Sequence, residues 1–356
     1  MERRDFLTLG AISLAAGACT KPGSESGVQK QSGPEGRFYP AVTQTSASGF
    51  QVIHDRSTFV EQYKYDNWTD PAQDWKNDCD LVCDFTWKWG QGTVPIQRRP
   101  AGILNGLWLL GPEDYGQSIY LLDTGDGLLL VDPSYTRFQP IIETQIRQLG
   151  FGLEQVRWVL ITHMHFDHTE AAASWERRGA EIWVPEGDAP YVTGQTKAQA
   201  SDIPDPVLHP KTFGGDEELK FGSLGLKTIL TTGHTPGGTC FSFLCDGRGG
   251  LISGDIALHF GRHAWMGADY CKWDEYLASL WKLWNHPDRA GWKFMLPGHG
   301  TVDLDGAGDS LYRVLQVTSE IIRRRRAGET IDWVDPHELF WRRRLAGKED
   351  IAPLEA

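Results

Sequence analysis

The chain has 356 residues, 40% of them hydrophobic, with 40 Gly and 19 Pro, a composition that fits one large or two ordinary loop-rich domains. Its formal net charge of −12 argues against a general polyanion binder, because nucleic-acid affinity comes largely from Lys and Arg neutralising phosphates. Nuclease readings lose weight for the same reason.

The first nineteen residues read as an address. Met1-Glu2-Arg3-Arg4-Asp5-Phe6-Leu7 resembles a twin-arginine export signal, and the apolar stretch from Phe6 to Ala18 is too short to span a bilayer permanently. Glu2 and Thr8 depart from that pattern. Ala16-Gly17-Ala18-Cys19 fits a small-x-small cleavage site and is also similar to a lipoprotein signal in which Cys19 accepts the lipid, although Ala16 stands where Leu is usual. The expectation is an exported, periplasmic protein tethered by lipid at Cys19. Residues 20–37, rich in Gly, Ser, Pro and Lys, have the composition of a flexible tether.

Residues 38–103 form an aromatic-rich extension (Trp68, Trp75, Trp87, Trp89) without a clean period. Aromatics at this density either cover an apolar face or line a pocket for an apolar or aromatic ligand moiety. Cys79 and Cys83 lie close enough for a disulfide in an oxidising compartment; buried free thiols are an equal reading, and with Cys240, Cys245 and Cys271 the number outside the signal is odd.

From residue 104 to 305 strands and helices alternate. Leu107 to Leu110, Ser118 to Leu122 and Leu128 to Val131 read as strands, the last two joined at Thr124-Gly125-Asp126-Gly127 as a hairpin. A helix from Pro140 to Leu149 stops at Gly150, and a β-branched, apolar strand runs from Val156 to Ile161. A second helix closes at Gly179 before the strand Glu181 to Val184. Further strands are expected at Leu226 to Leu230, Cys240 to Leu244 and Gly250 to Ser253. Asp274 reads as the N-cap of a helix carrying Tyr276, Leu277, Leu280, Trp281 and Trp284 on one face. Residues 306–356 form a helical, basic tail; Arg323 to Arg326 end a helix-like stretch from Leu311 to Ile322, where cations complement the helix dipole, and Arg342 to Arg344 form a second basic cluster.

The chemistry concentrates at Thr162-His163-Met164-His165-Phe166-Asp167-His168, directly after the strand that ends at Ile161. Three imidazoles and a carboxylate so close together would be costly to bury unpaired, whereas a divalent cation satisfies all of them. His234, Asp255 and His299 each follow a strand-like or apolar segment and sit beside Gly or Pro, which lets the backbone pass close to a ligand. Asp132 directly follows the strand Leu128 to Val131.

In type, order and approximate spacing these motifs resemble the metallo-β-lactamase fold superfamily, in the branch that holds glyoxalase II and acyl-homoserine lactonases. The resemblance covers roughly residues 104 to 303 and implies an α/β fold, a four-layered αβ/βα sandwich with metals at one edge of two central sheets. It implies a first metal on His163, His165 and His234, a second on Asp167, His168 and His299, a bridge through Asp255, and support of the ligand loops by Asp132. The donors are nitrogen and oxygen without thiolate, which suits two Zn²⁺ per chain and also accepts Fe or Mn. The chemistry implied is hydrolysis by a metal-activated water, with Asp167 as the catalytic proton shuttle to the leaving group.

Departures narrow the substrate only in part. Exported metallo-β-lactamases with a three-His first site lack the bridging Asp that Asp255 supplies, while export itself favours β-lactam hydrolysis. Lactonases carry a Tyr three residues beyond the bridging Asp; Leu258 stands here, followed by His259, and His259 or His263 is a candidate to face substrate. No glutathione-binding motif is recognisable in the basic tail. A small-molecule lactone, ester or thioester carbonyl is therefore the expected substrate, with β-lactam hydrolysis, a mononuclear iron persulfide dioxygenase and a non-catalytic metal-binding module as alternatives. No nucleic-acid partner is expected, and a membrane contact only through the N-terminal lipid.

Overall fold

The computed structural model describes residues 30–32, 38–40, 100–110, 117–258, 261–299, 302–303, 307–334, 336, 339–340 and 351–355. Residues 1–19, read above as an export signal with Cys19, nearly all of the aromatic-rich stretch with Cys79 and Cys83, His259, and Arg342 to Arg344 lie outside them. Strands β1 (Lys30–Ser32) and β2 (Phe38–Pro40) pair antiparallel with each other.

Two sheets carry the rest. The first runs in chain order through β3 (Ala101–Leu104), β4 (Leu107–Leu110), β5 (Ile119–Asp123), β6 (Leu128–Val131), β7 (Val156–Leu160), β8 (Glu181–Pro185) and β9 (Lys211–Phe213). The second does the same through β10 (Glu218–Phe221), β11 (Leu224–Leu230), β12 (Thr239–Cys245), β13 (Arg248–Gly254) and β14 (Trp292–Pro297). Each begins as an antiparallel meander and turns parallel, at β6–β7 and at β13–β14, where a helix makes the crossover.

Continuous apolar runs form these strands because both faces are covered. In β6, Leu129 and Val131 pack between the sheets against Phe221, Phe241 and Phe294, while Leu128 and Leu130 face the helix side with Ile142 and Ile146. The helices are α1 (Gln139–Gln148), α2 (Phe166–Thr169), α3 (Ala172–Arg177) and α4 (Ala189–Val192) on the first sheet's side, and α5 (Trp273–Trp284) and α6 (Ala307–Arg326) on the second's. The result is the expected helix, sheet, sheet, helix order. Among the described residues no helix is long and apolar enough to cross a membrane.

The Thr124-Gly125-Asp126-Gly127 hairpin forms, closed by Thr124 N–H to Gly127 O at 3.0 Å. Helix α1 stops as read, with Gly150 at φ 86°. Asp274 is not the N-cap of α5. Lys272 takes that place with extended backbone, its N–H bound to Gly233 O at 2.8 Å, and Asp274 and Glu275 fall in the first turn, where negative charge complements the dipole. Strands β3, β9 and β10 were not anticipated: β9 and β10 are short, with alternate or successive polar residues facing solvent. Each arginine from Arg323 to Arg326 has a specific partner: Ala352 O, Glu329, Ile331 O and Asp274.

Candidate metal centre

Every candidate ligand stands at one edge of the sandwich, where strands end. Asp132 follows β6, the His163 to His168 loop follows β7, His234 lies between β11 and β12, Asp255 follows β13, and His299 follows β14. Carboxyl ends of parallel strands gather side chains in one crevice, and here two sheets contribute to the same one.

The ligand atoms converge. His163, His165, His234 and Asp255 form one cluster, and Asp167, His168 and His299 another, each with its donor atoms within 4.8 Å of one another. His163 Nε2 lies 3.2 Å from His165 Nδ1, and His168 Nε2 lies 3.2 Å from His299 Nε2. Tetrahedral coordination at roughly 2.0–2.1 Å would set neighbouring donors about 3.3 Å apart. Asp255 Oδ2 lies 3.8 Å from His163 Nε2, 3.6 Å from His234 Nε2 and 3.3 Å from His299 Nε2, and Oδ1 lies 3.7 Å from His168 Nε2. It thus stands between the clusters. His234 Nε2 and Asp255 Oδ1 are buried without any hydrogen-bond partner among the described residues, a cost that a cation removes.

Hydrogen bonds away from the centre set which imidazole nitrogen keeps its lone pair. Thr162 Oγ1 donates to Asp132 Oδ2 at 2.7 Å, so it accepts from His163 Nδ1 at 2.9 Å. His168 Nδ1 donates to the same Asp132 oxygen at 3.0 Å, and His234 Nδ1 donates to Trp265 O at 2.9 Å. Tyr270 Oη donates to Gln199 O at 2.7 Å and so accepts from His165 Nε2 at 2.6 Å. This turns Nε2 of His163, His168 and His234, and Nδ1 of His165, inward. Asp132 also accepts Thr162 N–H at 2.8 Å, which ties the ends of β6 and β7 together.

Charge divides the two halves. Burial pushes the imidazoles of His163 and His165 well below the ordinary histidine value. Burial would do the same to His168, but the carboxylates of Asp167, Asp255 and Asp132 outweigh it and raise it to about 9. His299 is held well above its usual value against burial, by Asp255 and Asp167. Burial would raise Asp167 and Asp255, yet the neighbouring imidazoliums hold both below the usual carboxylate range. His163 and His165 are neutral imidazoles in the first cluster; His168 and His299 in the second give up protons when a cation binds.

Glycines let the loops close in. A Cβ on Gly298 would lie 2.2 Å from Asp255 Oδ1 and 2.9 Å from His168 Cε1. Gly233, at φ 114°, approaches the start of α5 so closely that a Cβ would meet Tyr276 N at 2.2 Å.

His263 joins neither cluster. It is buried with its ring 5.3 Å from that of Trp273 and 5.4 Å from that of Trp333, its Nδ1 donating to Ala264 O at 2.6 Å; burial lowers it to about 4. Tyr270, the Trp265 carbonyl and Asp188 were not anticipated as parts of the site, nor was the relay through Thr162 from Asp132 to His163. No spacing rule links Trp265 or Tyr270 to the His cluster, so only the fold brings them there. Asp188, a few residues past the end of β8, had only its strand-end position as a signal.

The sequence profile of the metallo-beta-lactamase superfamily matches residues 112–299, more than half of the chain. A hydroxyacylglutathione hydrolase of Anaeromyxobacter dehalogenans is 31% identical over 163 residues, 46% of this chain and 51% of that protein. A probable metallo-hydrolase of Bacillus subtilis is 27% identical over 146 residues, 39% of this chain and 61% of that protein. The chain spans about half the length of the curated relatives it matches. Among solved structures, a subclass B3 metallo-beta-lactamase of Bradyrhizobium japonicum has a TM-score of 0.51 at 22% identity, covering 64% of this chain and 94% of that one. A metallo-beta-lactamase family protein from Thermus thermophilus has a TM-score of 0.52 at 22% identity, covering 63% and 82%. At that identity the likeness is one of fold.

Proposed function

This chain belongs to the metallo-β-lactamase superfamily, and we propose that it is a dinuclear metallohydrolase that opens a lactone or cleaves a related ester or thioester carbonyl. The observation that carries the reading is the position of Asp255, whose Oδ2 lies within 3.8 Å of imidazole nitrogens from both clusters. The nitrogen and oxygen donors fit Zn²⁺ held by His163, His165 and His234 on one side and Asp167, His168 and His299 on the other, with Asp255 shared. Cations held there would supply Lewis acidity and bring the pKa of a bound water down to roughly 7.

The remaining steps belong to the chain. Asp132 holds His168 and, through Thr162, His163, so that Nε2 of each ring is aimed inward, already free of its proton in His163 and released by His168 when a cation binds. Tyr270 holds His165 in the same way at the partly open side of the cluster. Asp167 is ionised at neutral pH and is the least buried carboxylate of the two clusters, with Oδ2 3.2 Å from His299 Nε2. It is positioned to take up a proton and return it to the leaving alkoxide or thiolate. The hydroxyacylglutathione hydrolases among the relatives act, by their name, on an acylated thiol, which supports the thioester end of this range. The signal-like pattern of residues 1–19 supports a further part of the proposal, that the reaction takes place in the periplasm on a lipid tether at Cys19.

The test is a hydrolysis panel on the zinc-loaded protein covering lactones of differing chain length, esters, thioesters and β-lactams. Turnover of a lactone, ester or thioester that disappears on chelation is expected. Turnover confined to β-lactams contradicts the substrate class. No turnover, together with one iron per chain and oxygen consumption on a persulfide, contradicts the hydrolase reading.

A further inference from the structure

Asp188 is a fully buried carboxylate to which the proposed reaction assigns no role. It stands on the turn after β8, and all three of its hydrogen bonds come from donors. Met164 N–H and the Thr235 hydroxyl reach Oδ2, each at 2.8 Å, and Gly237 N–H reaches Oδ1 at 2.6 Å. Burial raises it to about 6, against the pull of those donors, so it is a carboxylate at neutral pH.

Its partners are not scattered. Met164 lies between His163 and His165, while Thr235 and Gly237 follow His234. One carboxylate therefore binds both loops that carry the nitrogen donors of the first cluster. The backbones are shaped for it: a Cβ on Gly237 would lie 2.5 Å from Asp188 N, and one on Gly187 would lie 2.9 Å from Pro236 O.

Resting on the metal-site reading above, we propose that Asp188 is a positioning residue that holds the His163–His165 loop and the His234 loop in register for the first cation. An amide in its place cannot satisfy the three donors. Whichever way Asn is turned, its NH₂ faces at least one N–H or O–H that needs an acceptor, and the two loops separate there. The second cluster has none of these contacts and keeps its geometry.

The experiment titrates the metal-free wild type, Asp188→Asn and Thr235→Val with Co²⁺, counting bound metal and recording its ligand-field spectrum. His234→Ala and His299→Ala mark the loss of each cluster. In Asp188→Asn the first cation should bind about ten- to a hundredfold more weakly with the second unchanged. Thr235→Val, which removes one donor and keeps the carboxylate, should show a smaller loss at the same cluster and carries the test if Asp188→Asn does not fold. Equal weakening of both cations, or wild-type affinity at both, overturns the proposal. A wild type that takes up no Co²⁺ overturns the metal-site reading and this proposal with it.

Discussion

Two imidazoles only a few residues apart behave in opposite ways: His165 is held neutral by burial, while His168 is raised to about 9 because three carboxylates outweigh the same burial. For the metal-free protein the sign follows directly. A histidine whose folded value exceeds its unfolded value of about 6.5 contributes stability that is fully present below about pH 6.5 and lost as pH rises through about 9. Melting of the chelated protein across that range should fall with rising pH, and added zinc should reverse the trend, because His168 and His299 then give up protons to the cation. A chelated protein with a flat profile between those limits would contradict the charge assignment. Tyr270→Phe removes the acceptor for His165 Nε2 and leaves a half-buried ring in place. It should weaken the first cation about tenfold or more, measured by competition with a chromophoric chelator. The ligand residues were legible because their types and spacing are dictated by the ion. Tyr270 and the Trp265 carbonyl were not, since a partner to the outer nitrogen can come from any loop the fold delivers.

Elements position those residues by ending in the right place. Strands β6, β7 and β13 were readable as apolar runs because both faces are covered, β14 only as the apolar segment Phe294 to Leu296, and each of the four carries a site residue just past its end. Edge strands β9 and β10 escaped the same reading, since a polar face and a length of three or four residues leave no period to detect. The capping role read for Asp274 failed for a different reason. The start of α5 is set by contact with the Gly233 loop, a tertiary constraint that moved the boundary to Lys272. Close approach makes a sharp prediction at the end of β14. Gly298→Ala would push a methyl group into Asp255 and His168, so the variant should keep its first cation and lose at least about tenfold in affinity for the second. A calorimetric titration resolves the two events; unchanged affinity at both would show that the loop yields freely.

At the scale of the molecule, two sheets of similar plan face one another over a shared core, and the crevice where their strands end is the only place where both supply ligands among the described residues. The four-layer architecture was legible from alternating strands and helices once the motif order was recognised. The docking of the C-terminal segment was not. Gln316 and Trp281 donate to Ile351 O and Leu354 O at 2.8 and 2.6 Å, and Ser319 Oγ accepts from Leu354 N. These bonds run from two helices to backbone, which carries no sequence pattern, while Ile351 and Leu354 pack against the helix-side clusters from a segment too short to show a period. Deleting residues 351–356 should cost about 2 kcal/mol, at roughly 0.5–1.5 kcal/mol per lost hydrogen bond, seen as a lower denaturation midpoint with cation stoichiometry unchanged.

In the proposed centre, Asp255 joins two cation sites into one. The most direct measurement is the number of zinc ions retained per chain by the wild type and by His299→Ala after dialysis against metal-free buffer. Two and one are expected. A wild type that holds a single ion, or a His299→Ala variant that still holds two, would contradict it.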